Sequence, residues 1–565
     1  MKFLKKLRNL NDVIAAFSLT EKIIFGVFVV VLAGSTLSLL VGLNTNFLVN
    51  IPTRGGILNE GVVGTARFIN PVLAVSDVDQ DLTSLVYSGL MRIDEKGELI
   101  QDLAESHEVS KDGLSYTFTI RNDATFHDGK NVTADDIVFT IKTIQDPAIK
   151  SPYRGNWDGI SVEKVSHKKI KFHLKEAYSP FIWNTTIGIL PHHIWKGVST
   201  DEFAFNSLNT DPIGSGAYEV SEIERNQSGI VTKYIMESFK NFTLNEPYIE
   251  TIRLFIYNND EERMAALADG SIEAVVGVMP EDAKKMKDRT IVTFPLSRIF
   301  AIFLNPNHDT VLAQSPVRRA LDVAIDKEGL IEEVLGGYGE VEHSPIPSSL
   351  FDYDYEDTSE KDKAEHIASA AKILADAGWK KNSEGILMKD KASLRLSLAT
   401  NNISELTSVA EYVIGTWKEL GVDVDVEVFE SADLRQNVIR PREYDALLFG
   451  EIVGPDLDVY AFWHSSQRND PGLNIASYVN IDVDALLKDI RKLSDEDERN
   501  EKIEKFIKEV NADTPAIFLY SPSLIYIVPQ KLNGVSEHAV LRSADRFNNV
   551  YKWHIERDKV WKIFN

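Results

Sequence analysis

The chain of 565 residues has no cysteine. That excludes disulfides, thiolate metal ligands, a cysteine nucleophile and an N-terminal lipid-modified cysteine. Positive charge is also scarce: 61 Lys and Arg stand against 85 Asp and Glu, a formal net charge of −24. Nucleic-acid binding is driven by Lys and Arg displacing counterions from phosphate, so this chain is a poor partner for DNA or RNA. Low-complexity tracts and short-period repeats are missing as well. With 44% hydrophobic residues the composition is ordinary for a globular protein, and the length suits roughly two to four domains. Nothing argues for more than a monomer.

One stretch lacks charge altogether. "IIFGVFVVVLAGSTLSLLVGL", residues 23–43, is long enough to span a hydrocarbon core of about 30 Å as a helix. Residues 1–22 carry a net charge of +3, and the ectodomain from Pro52 onward carries −27. Basic residues before the apolar run keep that end in the cytoplasm and send the bulk of the chain outward. We therefore expect a basic cytoplasmic segment at 1–22 and a single-pass membrane anchor at 23–43. A cleaved signal peptide is the alternative, with small residues around Ala33–Ser35 as its cleavage site.

The rest reads as a mixture of helices and strands with more than one sheet. "GGILNEGVVG" (55–64), "YTFTI" (116–120) and "KIKFHL" (169–174) read as strands. Residues 79–93 place Leu82, Leu85, Val86 and Leu90 at helical spacing. Helices are expected at 261–270, 315–326, 363–379 and 404–421, the last leading through Gly421 into the alternating strand "VDVDVEVF" (422–429). "AIFLY" and "LIYIV" near the C-terminus read as two more strands after the helix "ERNEKIEKFIKEVNAD". Helix, glycine and strand in succession are α/β grammar. Arg318 and Arg319, on a helix, read as structural salt-bridge partners.

"ATFHDGKNVTADDIVFTI" (124–141) gathers a histidine, three aspartates and a lysine, and invites a catalytic or metal reading. Its spacing argues for a scaffold instead. Asp128-Gly129 is a turn signal. Thr133 with Asp136 forms a capping-box pattern ahead of Ile137, Val138 and Ile141, and Pro147 stops the helix. Asp135 and Asp136 are adjacent, so on a helix they diverge and cannot share a metal. "DVDQD" (77–81) fails as a calcium loop because Leu82 and Ser88 stand where Gly and Glu are needed. His192-His193 lack a third ligand at useful spacing. Ser215, between Gly214 and Gly216, lacks the wider frame of a nucleophile elbow. No metal or cofactor is expected.

"TFHDGKNVTADDIVFTI" also resembles the signature segment of the family 5 extracellular solute-binding proteins, the peptide-binding subunits of ABC importers. Further segments match in order: "LVYSGLMRIDEKGELIQDLAESHEVSKDGLSYTFTIR" (85–121), "DPIGSGAYEV" (211–220), "SPVRRALDVAIDKEGLIEEVLGGYGE", "AAKILADAGW" and "PAIFLYSPSLIYIVPQKLNGV". The resemblance implies an α/β, two-lobed periplasmic-binding-protein-like fold of the large type II class, with a ligand cleft between the lobes. It places lobe I at 52–298, including a subdomain at about 93–210, lobe II at 299–520, and the return to lobe I at 521–565. It further implies capture of peptides or similar solutes, delivery to an ABC permease, and no catalysis.

Candidate ligand residues cluster after the apolar strand in "DALLFGEIVGPDLDVYAFWHSSQ" (445–467): Glu451, Asp456, Asp458, Tyr460, Trp463 and His464. Many peptide-binding relatives carry there an Asp that pairs with the peptide's α-amino group, and the matching position here is Val453. A buried ammonium needs a carboxylate nearby, so either Glu451 or Asp456 substitutes or the ligand is not a free-amine peptide. Asp456 and Asp458 acting only as caps of a helix near Val459 is the competing reading. Weaker candidates are Arg298 and Asn305 around "IFAIFL", Asn474 and Tyr478 in "GLNIASYVN", and Trp157. Two other functions fit the same residues: an anchored ligand sensor or peptide chaperone without a transporter, and a hydrolase using Glu451, Asp456 and His464.

Overall fold

The structure, a computed structural model, describes residues 13–286, 289–355 and 362–561. Most of the expected basic segment at 1–22 and the last four residues of the return at 521–565 lie outside the described residues.

A twelve-stranded mixed sheet runs through the molecule. From one edge, its bonded order is Asp423–Phe429, Arg395–Asn401, Ala446–Ile452, Arg298–Leu304, Ala516–Val528, Ala274–Val276, Ile57–Val63, Thr251–Tyr257, Val231–Ser238 and Tyr218–Arg225. Thr290–Pro295 and Gly339–Val341 also pair with Ala516–Val528. The long strand is the spine. "AIFLY" and "LIYIV" are thus one 13-residue strand, not two. Its first part pairs with Arg298–Leu304, Phe303 facing Ala516, and its last part with Thr290–Pro295, Thr290 facing Val528.

The apolar residues divide at the same place. One core gathers buried side chains from Leu58 to Phe294 and again from Tyr526 to Trp553. Two others, on opposite faces of the sheet, gather side chains between Ile299 and Tyr520. The fold is therefore two-lobed. The chain crosses between lobes at Pro295–Arg298 and along Tyr520–Ser523, where Leu296 N–H bonds the Pro522 carbonyl at 3.0 Å. A separate four-stranded sheet, Ala104–Val109, Ser115–Ile120, Lys169–His173 and Ser161–Ser166, packs beneath helix Ala134–Gln145.

That helix explains the histidine- and aspartate-rich stretch. Asp136 accepts the Thr133 N–H at 2.7 Å and hydroxyl at 2.8 Å with one oxygen, and the His192 N–H at 2.7 Å with the other. His127 clamps the Gly214–Gly216 corner: its Nδ1 accepts the Gly214 N–H and its Nε2 faces the Gly216 carbonyl at 3.2 Å. Burial lowers its pKa to about 4, so the ring is neutral. His193 pairs with Asp128 at 2.6 Å. Among the described residues no cluster of three or more His, Asp or Glu is arranged to hold a metal.

Some local expectations shift. The helix from 77 ends at Val86, so Leu90 falls in the extended segment beyond it. The helix expected over 315–326 stops at Val323, and Asp326 caps the next one, Lys327–Val334. Arg318 is structural, but it bonds carbonyls rather than a carboxylate: those of Asp513 and Thr514 at the end of helix Glu496–Asp513, and that of Leu312. Those terminal carbonyls have no partner inside the helix, and a cation suits them.

At the N-terminus, helix Leu19–Phe47 is capped by Ser18 and Glu21 and is long and apolar enough to cross a membrane. It passes directly into strand Leu48–Pro52, which pairs antiparallel with Arg557–Trp561.

Candidate functional site

Between the lobes lies a cavity of about 1150 Å³. One lobe lines it with Tyr87, Tyr153, Trp157 and Trp183, and with Glu537, His538 and Arg542 from the C-terminal segment. The other supplies Phe351, Asp456 and Arg499. Ser297, in the crossover, is also on the wall, and its carbonyl accepts the Val453 N–H at 3.0 Å. Val453 itself is 1% exposed and belongs to the core.

The strand end at Ile452 places the acids differently from one another. Asp456 faces the cavity half-buried. Burial, and next the neighbouring Asp458 charge, raise its pKa to about 6 against the pull of Arg499 and Arg491. Its Oδ1 accepts the Asp458 N–H at 3.2 Å, and its backbone carbonyl is bonded by Arg499. Glu451 is not on the cavity wall. Its carboxyl is buried, Oε1 has no hydrogen-bond partner, and burial pushes its pKa well above the usual carboxylate range.

Asp458 and Tyr460 lie at the rim. Asp458 takes Arg491 Nε and Nη2 at 2.8–3.0 Å and the Tyr178 hydroxyl at 3.0 Å. It also accepts the Tyr460 N–H at 3.2 Å, so the capping reading holds for it in part. The Arg491 guanidinium lies 4.0 Å over the Tyr460 ring. His464 stacks on Tyr460, and burial lowers its pKa despite Asp484 nearby.

Of the remaining candidates, Trp463, Asn474, Tyr478 and Asn305 are buried, while Arg298 lies half-buried at the crossover. Trp463 packs against Phe303 and Phe518 in the core. Asn474 brackets a turn: its side chain accepts the Tyr478 N–H and donates to the Tyr478 carbonyl, both at 3.0 Å. The Tyr478 hydroxyl donates to Asp513 at 2.6 Å. Arg298 and Asn305 sit at opposite ends of one strand, about 23 Å apart; Asn305 is buried, its amide donating to the Arg442 carbonyl at 3.0 Å. Trp157 borders the cavity but is 1% exposed, packed on Phe172 and Phe181.

Sequence reading missed Trp183, Arg499, Arg542 and the rim partners Tyr178 and Arg491. Arg491 and Arg499 are ordinary-looking charges around the start of a polar helix, and no local pattern marks them.

A model of the bacterial extracellular solute-binding proteins, family 5, middle region, matches residues 98–472. The oligopeptide-binding protein AppA of Bacillus subtilis is 30% identical over 518 residues, covering 90% of this chain and 93% of that protein. The chain belongs to family 5 of the bacterial extracellular solute-binding proteins. This family 5 protein is also similar to the solved structure of B. subtilis AppA in complex with a nonapeptide, at 29% identity and a TM-score of 0.63, covering 90% of this chain and 100% of that one. With the ABC transporter substrate binding protein CtaP of Listeria monocytogenes it shares 26% identity and a TM-score of 0.72 over 89% and 100% of the two chains. The resemblance found in the sequence thus names the right family. It is a family of solute-binding proteins, and this member is a binding protein, not an enzyme.

Proposed function

We propose that this family 5 protein is a membrane-anchored receptor that captures peptides between its lobes and delivers them to the permease of an ABC importer. The cavity carries the reading. At about 1150 Å³ it lies at the upper end of small-molecule sites and suits an oligomeric solute. Its walls combine aromatic rings with separated charges of both signs, Asp456 and Glu537 against Arg499 and Arg542. The related AppA is an oligopeptide-binding protein, and its solved complex holds a nonapeptide.

Lobe I in this reading is 52–298 with the return at 521–565, and lobe II is 299–520. Ligand touching both lobes favours the closed arrangement only by its differential affinity. Val453 leaves no carboxylate at the usual amine anchor, and Glu451 is buried off the cavity wall. Asp456 is therefore the anchor for a cationic ligand group. Helix 23–43 holds the receptor at the membrane with its lobes outside.

Native mass spectrometry of the full chain from detergent, before and after mild denaturation, tests this. Released masses that differ by amino-acid residues are the expected result. One discrete non-peptide mass sinks the peptide reading and leaves a receptor for another solute.

A further inference from the structure

Part of the lobe II wall of the cavity is built by a segment with no helix or strand of its own. After the short strand Gly339–Val341 the chain runs through Glu342, Ser344 and the buried Ile346 into a turn at Pro347–Phe351. The N–H groups of Leu350 and Phe351 both bond the Pro347 carbonyl, at 3.0 and 3.1 Å. The turn brings Ser349, Leu350 and Phe351 to the cavity. An irregular segment of this kind keeps its place through the bonds its few polar groups make.

Here those bonds converge on one carboxyl. Glu342 is 1% exposed and is not on the cavity wall. The Ser348 N–H donates to its Oε2 at 3.0 Å and to Oε1 at 3.2 Å, and the Ser348 hydroxyl donates to Oε1 at 3.2 Å. From the other side the Ser521 hydroxyl donates to Oε1 at 2.7 Å. Ser521 is fully buried in the spine strand, within the crossover between the lobes. The Glu342 N–H bonds the Leu519 carbonyl of the same strand at 3.1 Å. One side chain thus joins the ligand-wall turn to the strand that links the lobes. The residue type is informative. Burying a carboxyl is costly, and an apolar side chain would fill the position without that cost. What the carboxyl adds is acceptors, two oxygens that take several donors at once.

We infer that Glu342 is a positioning residue for the ligand site: its carboxyl fixes the turn Pro347–Phe351 against the crossover strand, so that Phe351 meets the ligand from one preset place. The inference rests on the peptide reading of the cavity. A preset wall lowers the ordering cost of binding. A turn fastened to the crossover also keeps its place while the lobes close about that crossover.

The chain has no cysteine, so a single spin label can report on the turn. Asp352→Cys places it at an exposed position one residue beyond Phe351. In this background the full chain, in detergent, is compared with its Glu342→Leu and Glu342→Gln variants. Label mobility is read by electron paramagnetic resonance, and affinity with a fluorescein-labelled random nonapeptide pool. Leucine keeps the bulk and removes the acceptors; it should loosen the label and weaken binding by roughly tenfold. Glutamine keeps one acceptor oxygen and should restore the label and bring affinity back to within about threefold. A leucine variant that only melts at lower temperature, with label and affinity unchanged, overturns the inference. So does a loosened label with unchanged affinity. A parent that binds none of the pool overturns the peptide reading and this inference with it. Should the leucine variant not fold, Ser521→Ala removes the crossover donor and leaves the carboxyl in place. A looser label and weaker binding then support the inference, and unchanged values overturn it.

Discussion

The hydroxyl of Tyr178 donates a 3.0 Å hydrogen bond to the carboxylate of Asp458, 280 residues away and on the other lobe. Beside it the Ser179 N–H bonds the Arg491 carbonyl at 2.8 Å, and Arg491 holds Asp458 from its own lobe. At this rim, side-chain and backbone groups of the two lobes meet directly. A hydrogen bond to a charged acceptor contributes about 1.5 kcal/mol or somewhat more.

Tyr178→Phe removes that bond and leaves Asp458 satisfied by Arg491. It should favour opening and speed ligand release by roughly tenfold. Thermal stability of each lobe should not change, because the contact lies between them. Stopped-flow dissociation of a bound peptide measures the effect, and an unchanged release rate would remove the rim contact from the closing mechanism.

Asp456 gives the binding reaction a pH signature. Burial raises its pKa to about 6, so the carboxylate is mostly ionised at pH 7 and lost below 6. If it pairs with a ligand ammonium, affinity should be constant above about pH 7. It should then fall toward tenfold per pH unit below the folded pKa. Asp456→Asn should weaken binding at pH 7 and flatten the profile. Titration calorimetry at several pH values decides it; a wild-type profile that the substitution does not alter assigns the anchor elsewhere.

Glu342 is a carboxyl at the crossover. Its Oε1 accepts the Ser521 hydroxyl at 2.7 Å from the spine strand, and the Ser348 N–H completes its shell. Burial dominates, and its pKa rises to about 7 in spite of those donors. The folded state therefore prefers the proton more than the unfolded state does. Its favourable contribution is fully present below the ordinary pKa of 4.5, falls away as pH rises to about 7, and is gone above it. The range corresponds to about 3 kcal/mol. Glu342→Gln should be more stable than the parent at pH 8 and gain nothing at pH 4.5, as read by urea denaturation. Equal stability differences at both values would show that the carboxyl is not titrating there.

What was legible in the sequence was local. Gly421, at φ 105°, ends the helix before it as its position suggests, since a left-handed residue there costs glycine little. The Thr133–Asp136 cap and the Asp128-Gly129 turn need no distant partner. The spine strand was hidden by Pro522, which looks like a break. It is tolerated because the ladder uses its carbonyl, bonded by Leu296, and does not require the N–H it lacks. "VDVDVEVF" alternates as a half-buried strand should, yet it forms the sheet edge and leaves Val426 and Val428 41% and 47% exposed. Trp463, Asn474 and Tyr478 looked like ligand groups because aromatic and amide side chains serve both cores and clefts, and only tertiary packing tells them apart. Asp458 stood out in the sequence, but nothing local signalled that Tyr178 and Arg491 would be its partners.

Arg546 closes lobe I by joining its first strand to its last helical segment. Its guanidinium, 1% exposed, bonds Glu60 at 2.6 Å and Asp81 at 2.7–2.9 Å, and Tyr526 donates to the far oxygen of Glu60 at 2.8 Å. Two buried carboxyls share one cation. Burial raises the Asp81 pKa even against that cation. Arg546→Met keeps volume but strands both acids, at a cost of about 3–5 kcal/mol. The loss should shrink with acidification: once its partner is gone Asp81 takes its proton at higher pH than in the parent, so the two proteins converge as pH falls. Arg546→Lys should recover only part, because an ammonium cannot engage two carboxylates with a planar fork. Urea denaturation at pH 7 and pH 5 measures all three proteins. A methionine variant as stable as the parent at pH 7 would mean that the pair is repaid elsewhere in the core, and that the ends of lobe I are joined by packing rather than by charge.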